Sequence, residues 1–170
     1  FSGAMSTDGA TLYHIGVDRN NLMKVTAGNV AVANNNATGI WRIRSMDWAT
    51  GAAGTDLYNS GATASAQQPI QLITLSDNTI VSLWQSATGG RIRQQDTSGT
   101  VLQNHVIPDW TGALPAVMFA GATASTIWIA YFNTTVTYGE FDLATGTFLS
   151  QFSPFPRLRH GYILPVSVTL

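Results

Sequence analysis

The sequence predicts an all-β protein on three observations. Residues that favour helices are scarce, since Glu140 is the only glutamate and Lys24 the only lysine among 170 residues. Apolar or alternating runs are short, about four to eight residues, and no helical stripe of ten residues is present. Clusters of Gly, Asn, Asp and Ser, which are typical of turns, separate these runs.

Composition narrows the possible partners. The net charge is −1 and only 10% of the residues are charged, so the chain has no basic surface for nucleic acid. No apolar stretch approaches the roughly 18 residues of a spanning helix, and we expect no membrane insertion. The absence of cysteine excludes disulfides, thiolate catalysis and Cys-based zinc sites. The length is that of one domain.

An internal repeat organises the chain. Four aspartates each end one strand and precede a short glycine-containing turn and another strand: Asp8, Asp47, Asp96 and Asp142. The predicted unit is strand a, strand b, strand c, aspartate turn, strand d. We place full units at about 22–60, 70–107 and 115–153, with their first two strands at 22–26 and 30–34, 70–75 and 79–84, and 116–120 and 126–132.

Four antiparallel strands in a repeat of about 40 to 50 residues are typical of a β-propeller blade. Residues 1–17 leave room for a c–d pair and residues 160–170 for an a–b pair. The sequence therefore predicts a small β-propeller domain over residues 1–170, with four blades, of which the last is a composite of 1–17 and 160–170. Pairing of the two ends would leave no open sheet edge. A partial ring, or a ring completed by further copies, is the alternative.

Residues 75–86, Leu-Ser-Asp-Asn-Thr-Ile-Val-Ser-Leu-Trp-Gln-Ser, are followed by an aspartate-glycine turn at 96–99. This segment resembles the propeller-like repeats of large secreted bacterial surface proteins, in which a Leu-x-Asp-Gly turn leads into Val-x-x-Trp-Gln-Ser and an Asp-x-x-Gly turn. Asn78 stands where that family prefers glycine. The resemblance implies blades and an extracellular setting, and it implies no catalytic residues.

Two arginine pairs and two tryptophans are the candidate ligand-binding residues. Within each pair the arginines are two residues apart on a predicted c strand, so they share one face. The pairs are Arg42 with Arg44, and Arg91 with Arg93. The four guanidinium groups could bind carboxylate-bearing ligands such as acidic sugars, or could only solvate outer strands and pair with aspartates.

Trp48 and Trp110 lie in turn sequences, where an exposed indole could stack on a sugar or anchor a protein partner. The alternative is that they close a blade edge. Trp84 and Trp128 fall in apolar b strands, and we expect them in the core.

Catalytic patterns are missing from the sequence. It has no Gly-x-Ser-x-Gly elbow and no phosphate-binding glycine loop, and its three histidines lie in separate units without ligand spacing. We expect no catalytic residues, metal site or cofactor. Four of the eight aspartates are already explained as turn residues.

These observations predict a non-enzymatic binding module, displayed outside the cell or on a virion, that recognises a glycan or a surface protein in adhesion or receptor binding. A structural or assembly domain of a fibre or capsid, with homo-oligomers possible, is one alternative. A degenerate carbohydrate-active enzyme is the other.

Overall fold

The computed structural model describes residues 3–18, 23–26, 29–32, 40–59, 67–86, 89–110, 116–133 and 135–153. Within these ranges every regular element is a β-strand, which confirms the predicted all-β class. No helix in these ranges is long and apolar enough to span a membrane.

Twelve of the strands form three four-stranded antiparallel sheets. Sheet 1 consists of β1 (Gly3–Met5), β2 (Thr11–Asp18), β5 (Ile40–Asp47) and β6 (Ala53–Asn59). Sheet 2 consists of β7 (Gln67–Thr74), β8 (Ile80–Ser86), β9 (Gly89–Gln95) and β10 (Val101–Val106). Sheet 3 consists of β11 (Ala116–Ala120), β12 (Thr126–Phe132), β13 (Val136–Asp142) and β14 (Thr147–Phe152). A separate hairpin pairs β3 (Met23–Thr26) with β4 (Asn29–Val32).

The sheet topology corrects the predicted first unit. Residues 22–60 do not form one sheet, because among the described strands β3 and β4 pair only with each other, and β1 and β2 take the first two places beside β5. The reason is that β2 is longer than β4, which has four residues. β2 pairs with β5 over eight residues, from Thr11 opposite Asp47 to Asp18 opposite Ile40. Residues 1–17 are therefore not a c–d pair, and residues 160–170 lie outside the described residues.

The two later units keep their predicted boundaries closely. Sheet 2 runs from residue 67 to 106 and sheet 3 from 116 to 152, against predicted units at 70–107 and 115–153. In both sheets the strands follow each other in chain order as a meander.

Sheet 2 has buried apolar side chains on both faces and packs against both neighbours. Ile80 and Trp84 belong to a buried cluster with Tyr13 and Ile43 of sheet 1. Val81, Leu83 and Ile92 point to the other face and belong to a second cluster, whose members in sheet 3 include Met118, Ile127, Ile129 and Phe141. Burial of each such side chain contributes about 1.5 to 3 kcal/mol relative to exposure.

A side-chain amide joins the first strands of sheets 2 and 3. Gln71 of β7 accepts a hydrogen bond from the Met118 backbone N–H and donates one to the Met118 carbonyl, both at 2.7 Å. It thereby satisfies both backbone groups of one β11 residue.

The turn that contains Asp8 is also reassigned. It joins β1 to β2, so its equivalent is the β7–β8 turn at Asp77, not the turns at Asp47, Asp96 and Asp142. Each of the two carboxylates accepts a hydrogen bond from the N–H two residues on, at Ala10 and Thr79. The intervening residues, Gly9 and Asn78, both adopt left-handed backbone, with φ of 72° and 65°.

The other three aspartates start the turns between the third and fourth strands, which confirms their predicted structural role. In each turn a left-handed glycine donates its N–H to the aspartate carbonyl: Gly51 to Asp47, Gly99 to Asp96 and Gly146 to Asp142. The carboxylates accept further bonds within the turn, from Thr50, Ser98 and Ala144. These are Asx-type turns.

Asn78 has two structural functions in the β7–β8 turn. Asparagine tolerates the left-handed conformation better than most residues. Its Oδ1 also accepts hydrogen bonds from the Thr7 N–H at 2.9 Å and the Thr7 hydroxyl at 2.7 Å, which joins the turns of sheets 1 and 2.

Substitutions at Asn78 should separate these two functions. Asn78→Gly keeps the left-handed backbone but loses the bonds from Thr7, and we expect it to lower the free energy of unfolding by about 1 kcal/mol. Asn78→Ala also strains the backbone and should cost about 2 kcal/mol. Urea unfolding measures both, with Ser76→Ala in the same turn as the control. Equal stability of the two Asn78 variants would contradict the backbone argument.

Acid should destabilise the protein through its turn aspartates. Hydrogen bonds from the Thr50 hydroxyl, the Ser98 hydroxyl and the Ala144 N–H lower the pKa values of Asp47, Asp96 and Asp142 respectively. Because the folded-state pKa lies below the unfolded value of about 3.9, this stabilisation is complete above that pH. It is lost as the pH falls through the lowered pKa.

Asp96→Asn tests the acid effect, because the amide keeps an acceptor oxygen but does not titrate. We expect the variant to lose less stability than the unmodified protein between pH 5 and about 2.5, by urea unfolding at each pH. Parallel pH profiles for the two proteins would count against the turn carboxylates as the source.

Candidate functional site

The two ends of the sheets differ in their connections. The short turns that contain the aspartates lie at one end. The connections between second and third strands, and between consecutive sheets, lie at the other end because neighbouring strands are antiparallel. The candidate site is at this second end of sheet 3.

A cleft of about 340 Å³ opens there to solvent. Its lining comes from the connection after β10, the end of β12, the start of β13 and the end of β14. The lining residues are Asp109, Tyr131, Asn133, Thr135, Thr137, Gln151, Phe152 and Ser153.

Hydrogen bonds hold several of these polar groups in place. Gln151 Nε2 donates to the Tyr131 hydroxyl at 3.2 Å, and the hydroxyls of Thr137 and Ser153 are 3.2 Å apart. The side chain of Asn133 donates to the backbone carbonyl of Asp109. This bond ties the loop after sheet 2 to the loop between β12 and β13.

Tyr131 is the buried member of the cleft, and its ring belongs to the core between sheets 2 and 3. Burial, and then the negative charge of Asp109, raise the pKa of its hydroxyl. The group therefore stays protonated at neutral pH, where it can both donate and accept a hydrogen bond.

The cleft offers hydroxyl and amide groups and one acidic side chain, and it suits a ligand that carries many hydroxyl groups. Phe152 contributes no stacking ring on this side, because β14 alternates and its ring packs on Tyr138 on the opposite face of sheet 3.

The predicted arginine patch is not formed. Arg42 and Arg44 both bond to Asp56, at 2.6 and 2.7 Å, and lower its pKa, with Arg44 as the larger cause. They alternate along β5 with Ile43, which faces sheet 2, so both point to the opposite side of sheet 1. Arg42 and Arg44 therefore follow the alternative prediction, that the arginines pair with an aspartate.

The second arginine pair lies on sheet 2, on the face toward sheet 1. The Arg93 guanidinium lies over the rings of Trp84 and Tyr58, 4.7 and 5.2 Å from their centroids, and burial lowers its pKa. Arg91 makes one long contact, 3.4 Å, to Asn104. Since the two pairs face different sides, four guanidinium groups cannot meet one ligand.

Trp110 does not offer an exposed indole. It is buried in the core between sheets 2 and 3, and a Cβ at Gly90 would lie 1.4 Å from its ring, so only glycine fits beneath it. Trp48 is half-buried in the β5–β6 turn, and its backbone N–H donates to the Ala10 carbonyl. Trp84 is in the core as expected, whereas Trp128 is only half-buried.

The histidines gather no metal site within the described part of the chain, where no group of three acidic or histidine side chains is placed to hold an ion. His105 Nε2 is 2.8 Å from the Leu143 carbonyl oxygen and its ring packs edge-on to Phe141. His160 lies outside the described residues.

The cleft residues that sequence reasoning missed are mostly polar and uncharged. Tyr131, Thr137, Gln151 and Ser153 belong to no motif, and they meet only because antiparallel pairing brings the ends of β12, β13 and β14 together. The one local signal is Asn133-Thr134-Thr135, which matches the acceptor pattern for N-glycosylation. Such a match is expected by chance in a chain so rich in Asn and Thr.

No protein-family model matches the chain, and no curated protein sequence matches it at a significant level. The function therefore has to be inferred from the geometry of the cleft and of the sheets.

Proposed function

We propose that the protein is a non-enzymatic binding module, displayed outside the cell or on a virion, whose cleft on sheet 3 binds a glycan. The observation that carries the proposal is the cleft itself, in which fixed hydroxyl and amide groups converge around about 340 Å³. Such groups match the alternating donors and acceptors of a sugar.

Binding is favoured over hydrolysis by the number of carboxylates. A glycosidase of the usual kind needs two acidic side chains across the scissile bond. Among the described residues that line the cleft, Asp109 is the only acid. Its carboxylate is exposed and suits the recognition of sugar hydroxyls.

We further infer that the three sheets are consecutive blades of a β-propeller. The inference is supported by their shared meander order and by face-to-face packing of sheet 2 on both neighbours. The first strands also lie side by side, with β7 next to both β1 and β11, as the inner strands of blades do.

A different observation favours assembly in a fibre or capsid as the second candidate function. The outermost strands of sheets 2 and 3 expose large apolar side chains, which is typical of surfaces that meet a partner. They include Val101, Leu102 and Val106 on β10, and Leu149 and Phe152 on β14. A stable oligomer in sedimentation experiments at micromolar concentration would favour this candidate.

A glycan array with the intact chain, followed by calorimetry on the best ligand, tests the binding proposal. Gln151→Ala and Thr137→Ala each remove a cleft hydrogen-bonding group, and we expect each to weaken binding about tenfold. Ser150→Ala is the matched control, because Ser150 is adjacent on β14 but pairs with Glu140 on the other face.

The binding proposal fails if the intact chain binds no glycan. It also fails if the ligand found on the array binds the Gln151 and Thr137 variants as tightly as the Ser150 variant.

A further inference from the structure

The face of sheet 3 that points away from sheet 2 is mostly apolar, and no other strand among the described residues covers it. Its side chains come from all four strands, and we call it the open face: Val117, Phe119, Trp128, Ala130, Tyr138 and Phe152. Val117, Phe119 and Phe152 are 39, 36 and 49% exposed. The ring of Phe152 stacks on Tyr138, with centroids 5.5 Å apart, and contacts Trp128 edge-on at 6.4 Å.

The same positions in sheet 2 are fully buried. Thr74 pairs with Ile80 and Ala120 with Ile127, and this register aligns the two sheets. Val81, Leu83 and Ile92 of sheet 2 then correspond to Trp128, Ala130 and Tyr138 of the open face. Sheet 3 covers Val81, Leu83 and Ile92 of sheet 2. By analogy, we expect a following sheet to cover the corresponding residues of the open face.

The lengths of the connections between sheets predict where a further strand would begin. Residues 60–66 connect β6 to β7, and residues 107–115 connect β10 to β11. Since β14 ends at Phe152, a connection of the same length would start the next strand at about residues 160–162.

The sequence from that point has the composition of a covering strand. Residues 161–170 carry no charge, and Val166, Val168 and Leu170 alternate with Ser167 and Thr169. This period of two is typical of a strand with one apolar face. The preceding connection carries basic residues and no acid, which complements Glu140 on the same side of sheet 3 as the open face.

We propose that residues 161–170 of the same chain pack on the open face and contribute the first strand of a further sheet, beside β11. This is the position that β7 takes beside β1 and β11 takes beside β7. These residues then start a sheet of their own instead of completing one with residues 1–17. The proposal does not require that the cleft binds a glycan.

Thiol labelling of the full chain tests the proposal, because no native cysteine interferes. We expect the thiol of Phe119→Cys to react with a maleimide at least about tenfold more slowly than that of Val106→Cys, at every protein concentration. Val106 is the reference because it lies on outer strand β10 and is 55% exposed. Val117→Cys is a second probe on the open face, in case Phe119→Cys does not fold.

Substitutions within residues 161–170 test whether this segment is what covers the open face. Val166→Asp with Val168→Asp should raise the labelling rate of Phe119→Cys to that of Val106→Cys. Ser167→Asp with Thr169→Asp is the matched control at the alternate positions and should leave the rate low. Circular dichroism checks that each variant is folded, and Val166→Ala with Val168→Ala replaces the acidic pair if that pair is not.

Three results would overturn the proposal. One is labelling of both open-face probes as fast as Val106→Cys. Another is protection that the Val166 and Val168 substitutions leave unchanged. The third is protection that grows with protein concentration and disappears on dilution, since this would make a second copy of the chain the occupant.

Discussion

The structure depends on one constraint, that a sheet with apolar side chains on both faces must be covered on both sides. In β8 the five residues from Ile80 to Trp84 are all buried, with alternate side chains facing sheet 1 and sheet 3. Exposure of either face would forgo about 1.5 to 3 kcal/mol for each large side chain. Sheet 2 therefore depends on packing against both neighbours, in the manner of a unit in a repeat protein.

Features that depend on local sequence were predictable. The period of two, the Asp and Gly turn residues and the strand lengths identify the all-β class and the strands of sheets 2 and 3. The first unit was not predictable in this way, because β3 and β4 have the spacing expected for strands a and b but form a separate hairpin. The choice between β2 and β4 as the partner of β5 depends on long-range pairing, which chain spacing does not encode.

The candidate site was harder to predict than the fold, for a physical reason. Large and charged side chains stand out in a sequence, and here the sheets use them for packing: Trp110 fills the space above Gly90, and Arg93 lies over aromatic rings. The cleft is built mostly from uncharged polar side chains of separate segments. Each alone is an ordinary strand-end residue, so only the folded arrangement distinguishes it.

The cleft and the open face are two sides of the same strand end. Along β14, Gln151 turns toward Tyr131 and the cleft, and Phe152 turns toward Tyr138 and the open face. Ser153 lines the cleft and is also the residue from which the chain leaves sheet 3. A segment that packs on Phe152 in the open face would therefore contact the strand that also carries Gln151. A ligand that needs Gln151 and Ser153 in fixed positions would bind best when sheet 3 is covered on both faces, because an ordered strand end loses less conformational entropy on binding.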